Sequence, residues 1–265
     1  MPNLPDSVWD TLKIVVLGES GIGKTSFTDK VVHDAQYVRY DPTYLFGKHG
    51  NQMAMNVDGD VHYIRLDDVS LTPIRSPEHG ALSEQYATFI RDADGVVLLY
   101  DITDSNSYDA ITETGWEYVW SRQAKSWGRG WDFPNGHKKF GCVLVGNKVD
   151  LLQGEGSVKR QVSKDLAEEW ASMMGVEHFE VDRFNREALE DVVRALVRSV
   201  QWAKRRNLED IRMTKIKSGA TTAVVQGSIH DQQIQKSKQF LGLTRLKERL
   251  TFRTKSKPKP YGPYE

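Results

Sequence analysis

The chain has 265 residues, 39% hydrophobic and 27% charged, which is the composition of a globular protein with one sizeable domain plus an extension. No run of about 18 apolar residues occurs, so no transmembrane helix is expected, and the single cysteine excludes an intramolecular disulfide. The 36 basic and 36 acidic residues balance overall, but residues 201–265 hold 15 basic and 5 acidic groups, which predicts an acidic body with a basic tail.

Short apolar runs alternate with helical patterns along most of the chain. The predicted strands are 13–17, 53–57, 62–66, 95–100, 140–145 and 176–180. A helix is predicted to begin near Gly23, and further helices cover 83–91, 108–121, 163–174 and 187–204. This alternation predicts an α/β fold with a mostly parallel six-stranded sheet and helices on both faces.

Composition also divides the chain into segments. Residues 1–10 form an N-terminal extension, 11–204 a domain, and 205–265 a basic C-terminal extension that is expected to be partly disordered. Two insertions are expected near 71–80 and 127–139, where proline, glycine and asparagine collect. The tryptophans around the second insertion fit either a local core or a docking surface.

A glycine-rich segment follows the first predicted strand and fits the pattern G-x-x-x-x-G-K-[ST] of a P-loop. Its backbone N–H groups can surround phosphates, its lysine can reach the β- and γ-phosphates, and its threonine hydroxyl can bind Mg²⁺. The alternative is a glycine-rich turn with an incidental lysine. The predicted phosphate contacts are Gly18, Glu19, Ser20, Gly21, Ile22, Gly23, Lys24, Thr25 and Ser26.

The segment Asn147-Lys148-Val149-Asp150 follows another buried strand. Ligands of open α/β sheets bind at the carboxyl ends of strands. A carboxylate there can accept hydrogen bonds from N1–H and the exocyclic amino group of guanine, a donor pair that adenine lacks. The sequence therefore predicts a guanine nucleotide, with base contacts from Asn147, Lys148 and Asp150.

Together with Tyr40-Asp41-Pro42-Thr43 and the late helix pattern at 189–198, these two motifs resemble the Ras-type small GTPases of the Ras superfamily in order and spacing. The resemblance covers about residues 11–203 and implies a P-loop NTPase fold with bound Mg²⁺. It implies that Thr43 contacts Mg²⁺ and the γ-phosphate, which makes its loop a switch, and that Lys24 and Thr43 serve catalysis. It also places Tyr37 near the guanine ring.

The second switch departs from the family's Asp-x-x-Gly-Gln pattern, because the matching stretch is Asp67-Asp68-Val69-Ser70-Leu71. By resemblance Asp67 joins Thr25 and Thr43 around the metal, and Ser70 takes the place of the glycine whose N–H meets the γ-phosphate. Leu71 replaces the glutamine that orients the attacking water, a role that leucine cannot fill. Glu78 and His79 are candidate substitutes, although a solvated loop is preferred for both.

The family's Ser-Ala-Lys loop, whose backbone supports the base, corresponds to Val181-Asp182-Arg183 followed by Phe184. Backbone donation survives such substitution. Tyr37 and Phe184 are equally compatible with core positions and with contacts to the nucleotide.

The family's C-terminal prenylation box does not occur in residues 258–265, so no prenyl anchor is expected. Basic and apolar residues interleave over 234–250, which fits either a helix on anionic lipid or a solvated extension, and the latter is favoured. A cytoplasmic location, with or without contact to a membrane surface, is expected, and nucleic-acid binding is not.

Two functions remain open at this point. The first is a small GTPase that switches between GDP and GTP forms in signal transduction, hydrolyses GTP slowly, and meets effectors, exchange factors and activating proteins through residues 37–46 and 67–91. The second is a pseudo-GTPase, a nucleotide-binding interaction module with little or no hydrolysis. An ATPase of another P-loop family would require the guanine motif to be coincidental.

Overall fold

The structure is a computed structural model, and it describes residues 11–34, 51–75, 87–123, 138–153, 156–213 and 216. The described residues from 11 to 211 belong to one compact unit. Within these ranges, no helix is both long enough and apolar enough to cross a membrane.

A six-stranded sheet forms the centre of the described part of the chain. Its strands are β1 (Thr11–Gly18), β2 (Gln52–Val57), β3 (Asp60–Ser70), β4 (Gly95–Asp101), β5 (Gly141–Asn147) and β6 (Glu177–Glu180). They lie in the order β2-β3-β1-β4-β5-β6, and all neighbours are parallel except β2 and β3. The carboxyl ends of β1, β3, β4 and β5 therefore meet at one edge of the sheet.

Helices connect most of these strands. They are α1 (Lys24–His33), α2 (Thr72–Arg75), α3 (residues 87–92), α4 (Ser105–Ala110), α5 (Trp116–Gln123), α6 (Lys164–Met174) and α7 (residues 186–213). A π-helical turn, Ile111–Gly115, joins α4 to α5, and a 3-10 turn, Val149–Leu152, follows β5. Asp104 and Ser163 cap the first turns of α4 and α6 with side-chain oxygens, as residues of these types do at helix starts.

Apolar side chains pack on both faces of the sheet, because successive residues of a strand point to opposite sides. On one face Ile14 and Val16 of β1 pack with side chains of α1 and α7, including Phe27, Val31, Val193, Leu196 and Val197. On the other face Val15 and Leu17 pack with side chains from the other helices, including Ile90, Ile111, Val119 and Ala167. The predicted fold class is confirmed.

The structure differs from the predicted elements at three places. Strand β3 continues beyond Leu66 to Ser70, and Leu71, which was expected to begin a loop insertion, is fully buried. Helix α7 continues past the predicted boundary at residue 204, and its Asn207 exchanges two hydrogen bonds, 2.8 and 2.7 Å, with the backbone of Lys139. These bonds hold a part of α7 where the apolar periodicity is weak.

Of the two tryptophans before the second insertion, Trp116 is partly buried against the core, whereas Trp120 is exposed. Trp116 lies 6.0 Å from the ring of Phe140 and 5.6 Å from that of Trp170, measured between ring centroids. Trp127 and Trp131 lie outside the described residues.

Candidate functional site

The P-loop leaves the sheet at Gly18, the last residue of β1, and enters α1 at Lys24. Gly23 stands before the helix with φ of 99°, a left-handed conformation that favours glycine. A Cβ atom there would lie 2.5 Å from Nδ2 of Asn147, so any side chain at this position would have to displace the Asn147 carboxamide. No side chain caps the first turn of α1, and its N–H groups are therefore directed at the space a phosphate would fill.

Lys24 lies across this loop. Its Nζ donates a 2.6 Å hydrogen bond to the carbonyl oxygen of Glu19. Burial lowers the pKa of Lys24 to about 8, while the nearby charges of Asp68 and Glu19 act in the opposite direction. A buried cation with its charged form disfavoured in this way gains stabilisation from an anionic ligand.

Thr25 forms a hydrogen bond with a carboxylate, but the carboxylate belongs to Asp68 and not to the predicted Asp67. Its hydroxyl donates a 2.6 Å hydrogen bond to Oδ2 of Asp68. Asp67 binds Arg65 instead, with its Oδ2 2.8 Å from Nε and 2.7 Å from Nη2. Consecutive strand residues point to opposite faces, and Leu66 occupies the same core face as Ile14, which turns Asp68 toward α1 and Asp67 away. The expected position of Asp67 beside Thr25 is therefore corrected to Asp68.

This correction moves the second-switch pattern along by one residue. Leu71 then takes the place of the glycine and Thr72 that of the glutamine, so the assignment of Ser70 to the glycine position does not fit this geometry. Ser70 ends β3 opposite Gly18, and its hydroxyl donates to Oγ1 of Thr72 over 3.2 Å. No carboxamide side chain stands at residues 70–72.

The base-recognition segment is joined directly to the P-loop. Asn147 is buried, and its Nδ2 donates a 2.8 Å hydrogen bond to the carbonyl oxygen of Ile22. Lys148 has φ of 69°, and its Nζ lies 2.7 Å from Oδ2 of Asp101 at the end of β4. Asp101 is also held by Thr103, whose N–H and hydroxyl donate to Oδ1 over 2.8 and 2.6 Å. The two strongest sequence motifs thus form one site.

Sequence reasoning missed Asp101 and Thr103. The available signal was their position, since Asp101 is the last residue of the buried parallel strand β4, at the edge where ligands of such sheets bind. The ion pair between Asp101 and Lys148 could not be predicted, because the two residues are distant along the chain.

The carboxylate of Asp150 is only partly paired within the described residues. Its Oδ1 is buried and has no hydrogen-bond partner within the described residues, while its Oδ2 lies 3.8 Å from Nε of Arg183. A buried carboxylate oxygen without a donor is costly, and a ligand with two adjacent N–H donors would satisfy it. The geometry fits the guanine edge that the sequence predicts for this residue.

The loop after β6 packs beside that carboxylate. Val181 is buried, and it donates to the carbonyl of Gly146 over 2.8 Å and accepts from the N–H of Val149 over 3.3 Å. Asp182 Oδ1 accepts from the N–H groups of the two residues Phe184 and Asn185 over 2.7 and 2.9 Å, which fixes the turn.

In the same loop, the Arg183 guanidinium lies over the exposed ring of Phe184, 4.7 Å from its centroid. The predicted loop residues are therefore brought next to Asp150.

The sequence profile described as the Ras family matches residues 13–202. The chain belongs to the Ras family of small GTPases. As a member of this family it is a GTP-binding protein with a P-loop, and its family's activity is GTP hydrolysis.

Named relatives agree with this membership. The chain is 28% identical over 172 residues to the Ras-related protein Rab7 of Glycine max, covering 64% of this chain and 72% of that protein. It is 24% identical over 190 residues to the Ras-like protein rasC of Dictyostelium discoideum, covering 72% and 86%. It is 28% identical over 190 residues to the Ras-related protein Rab-7a of Paramecium octaurelia, covering 69% and 80%.

Members of the Ras family generally use Mg²⁺, and the residues present fit that ion. Thr25 and Asp68 offer a hydroxyl and a carboxylate, the hard oxygen ligands that Mg²⁺ prefers, and they lie next to the phosphate cradle. The described residues contain no cluster of three or more His, Cys, Asp or Glu side chains that could hold a metal. Such a cluster is not needed, because Mg²⁺ keeps several waters and takes its remaining ligands from phosphates.

Several predicted residues of this Ras-family chain lie outside the described residues. These are Tyr37, Thr43 and the rest of the first switch, Glu78 and His79, most of the second insertion, and the basic tail beyond 216. Ser26 lies in the first turn of α1, directly after Thr25.

Proposed function

We propose that the protein is a GDP/GTP molecular switch in signal transduction that binds a guanine nucleotide with Mg²⁺ and hydrolyses GTP slowly. The observation that carries this proposal is the hydrogen bond from Asn147 to Ile22. It holds the guanine motif against the phosphate loop, so that one ligand can occupy both.

The residues of the site divide the work of binding. The N–H groups of the P-loop and the ammonium of Lys24 bind the phosphates. Asp150 binds the donor edge of guanine through Oδ1, which has no hydrogen-bond partner among the described residues. Lys148 is held by Asp101, which keeps its chain beside the base position. Backbone groups of 181–183 support the base. Thr25, Asp68 and, by resemblance, Thr43 are the protein groups proposed to surround Mg²⁺, which supplies compensation for the phosphate charge.

Slow hydrolysis follows from the second switch. Phosphoryl transfer depends mostly on positioning and electrostatics, and Lys24 with the P-loop supplies part of both. The attacking water has no carboxamide to orient it at residues 70–72, where Leu71 is buried and Thr72 binds Glu19. Single-turnover hydrolysis is therefore expected at or below the intrinsic Ras rate of about 10⁻⁴ s⁻¹.

Regulators and effectors are proposed as partners, as is usual in this family. The first-switch segment, residues 37–46, is assigned the contacts that depend on the nucleotide. A cytoplasmic location is proposed, and flotation of the full chain and of a chain ending at residue 216 with anionic vesicles tests whether the tail adds membrane contact.

One experiment tests the core of the proposal. The purified full chain is denatured, its released nucleotide is identified by chromatography, and γ-labelled GTP is then followed in a single turnover. Guanine nucleotide with slow release of phosphate is expected. Lys24→Ala should lose the nucleotide, whereas Lys30→Ala, on the same helix but paired with Asp34 at 2.7 Å, should keep it. Adenine nucleotide, or no nucleotide, contradicts the proposal; rapid hydrolysis without a partner contradicts the rate.

A further inference from the structure

Strand β3 does not end at the aspartate that faces Thr25. It continues to Ser70, and the ladder with β1 extends through Val69 opposite Leu17 and Ser70 opposite Gly18. The segment therefore stays in the sheet until it lies beside the first residue of the P-loop. Residues 69–75 are called the strap below.

The main chain of the strap remains bonded to the P-loop after the strand. The N–H of Leu71 donates to the carbonyl oxygen of Gly18 over 2.9 Å, and the N–H of Ile74 donates to the carbonyl of Leu71 over 3.0 Å to close the short helix α2. The Leu71 side chain is fully buried in the core face that contains Leu17 and Val69. Both the backbone and the side chain of Leu71 are thus engaged within the protein.

A side-chain bond adds a second connection. Oγ1 of Thr72 donates to Oε2 of Glu19 over 2.9 Å, and Glu19 is the second residue of the P-loop. The same Thr72 hydroxyl oxygen accepts from Ser70. The strap is consequently attached to two successive residues of the phosphate loop.

We propose that the strap is a fixed element that holds the same position in the GDP and GTP forms and does not sense the third phosphate. The proposal rests on the nucleotide binding proposed above. A ligand shifts a segment only by the difference between its contacts with two arrangements of that segment. Here the N–H of Leu71 already donates to the carbonyl oxygen of Gly18. A contact between this N–H and the third phosphate would break that bond and expose the buried Leu71 side chain, so the new contact would bring little net stabilisation.

The fixed position of the strap predicts how protein partners would bind its surface. A protein partner that docks on residues 69–75 would bind the GDP and GTP forms equally well. Partners that distinguish the two forms must contact other residues. Effectors and regulators are predicted to contact residues 37–46 and 67–91, and within the second of these segments the strap is assigned no part in distinguishing GDP from GTP.

Hydrogen exchange with mass spectrometry on the full chain tests the proposal. The protein is compared in three states, stripped of nucleotide, loaded with GDP and Mg²⁺, and loaded with a non-hydrolysable GTP analogue and Mg²⁺. Peptides from 18–28 should gain protection with both nucleotides. Peptides from 69–75 should exchange at the same rate in both loaded states.

Each outcome decides a different claim. A strap that exchanges at different rates in the two loaded states overturns the fixed-strap proposal while leaving nucleotide binding intact. A P-loop that gains no protection with either nucleotide sinks the proposed function and the strap proposal with it.

Variants test the side-chain anchor separately. Thr72→Val keeps the shape of the side chain and removes the hydroxyl, and it should raise exchange at residues 71–73 several-fold and equally in both loaded states. Ser121→Ala is the matched control, since it removes a hydroxyl that bonds Tyr118 over 2.9 Å on α5, and it should leave the strap unchanged. Unchanged exchange in Thr72→Val would refute the anchoring role of the Glu19–Thr72 bond.

Discussion

The hydroxyl of Thr25 donates a 2.6 Å hydrogen bond to the carboxylate of Asp68 across the junction of β3 and the P-loop helix. The neighbouring Asp67 faces the other way and pairs with Arg65. The two adjacent aspartates therefore make unrelated contacts, and the contact with Thr25 shows that Asp68 lies beside the phosphate loop.

Exchange of each aspartate for asparagine should separate these roles. Asp68→Asn should weaken Mg²⁺-dependent retention of nucleotide by roughly 10- to 100-fold, the usual loss when a group that supports a metal ligand is changed. Asp67→Asn removes only a partly exposed ion pair, which contributes about 1 kcal/mol or less, and should retain nucleotide normally. Release of a fluorescent GDP analogue over a Mg²⁺ titration measures both, and equal losses would contradict the assignment.

The two left-handed glycines of the P-loop provide a matched pair of stability variants. Gly21 and Gly23 have φ of 82° and 99°, so alanine costs about 1–2 kcal/mol of backbone strain at either position. Only at Gly23 does the added Cβ meet Asn147, at 2.5 Å, whereas nothing lies within 4 Å at Gly21. Gly23→Ala should therefore lower the free energy of unfolding of the nucleotide-free protein by about 1 kcal/mol more than Gly21→Ala. The reason is that the new Cβ displaces the Asn147 side chain and breaks its hydrogen bond to the carbonyl oxygen of Ile22. Urea unfolding gives the comparison, and identical losses would count against the Asn147–Ile22 connection.

Asp150 should determine the base. Asp150→Asn replaces one of the two acceptor oxygens by an NH₂ donor, so that the side chain no longer accepts from both N1–H and the amino group of guanine. A lost hydrogen bond to a charged group costs about 1.5–3 kcal/mol, or roughly 10- to 100-fold in GDP affinity. The variant should gain relative affinity for xanthosine diphosphate, whose carbonyl stands where guanine has the amino group. Competition titrations of both nucleotides measure the shift, and an unchanged preference would show that another residue reads the base.

His178 should make stability depend on pH. Burial lowers its pKa, against the opposing charges of Glu180 and Glu168, and its Nε2 lies 3.0 Å from the hydroxyl oxygen of Tyr100. The folded protein binds this proton less readily than the unfolded chain, whose histidine titrates near pH 6.5. The stabilisation that neutral His178 contributes to the folded protein is therefore fully present above about pH 6.5. It is lost as the pH falls through that value toward the lower pKa of the folded state.

Urea unfolding between pH 7.5 and 5.5 tests this sign. The midpoint of the unmodified protein should fall more steeply than that of His178→Gln, which keeps a polar group and does not titrate. Parallel pH dependence in the two proteins would show that other groups cause the acid sensitivity.

The chemistry of the two motifs and the alternation of strands and helices can be predicted from the amino-acid sequence. Both depend on residues close together in the chain: the P-loop on its glycines and lysine, the guanine segment on Asn147 and Asp150, and the strands on continuous apolar runs. These local patterns were sufficient to predict the fold class and the ligand.

Which side chains lie beside the phosphate loop depends instead on contacts between distant segments. Asp67 and Asp68 fit the pattern equally well, and the choice between them is fixed by Leu66 packing with Ile14 on one face of the sheet. Leu71 was expected in a loop but is buried because β3 runs on beside Gly18. The face to which a strand residue points, and whether a residue is buried, depend on contacts between segments distant in sequence. The local sequence carries no signal that predicts those contacts.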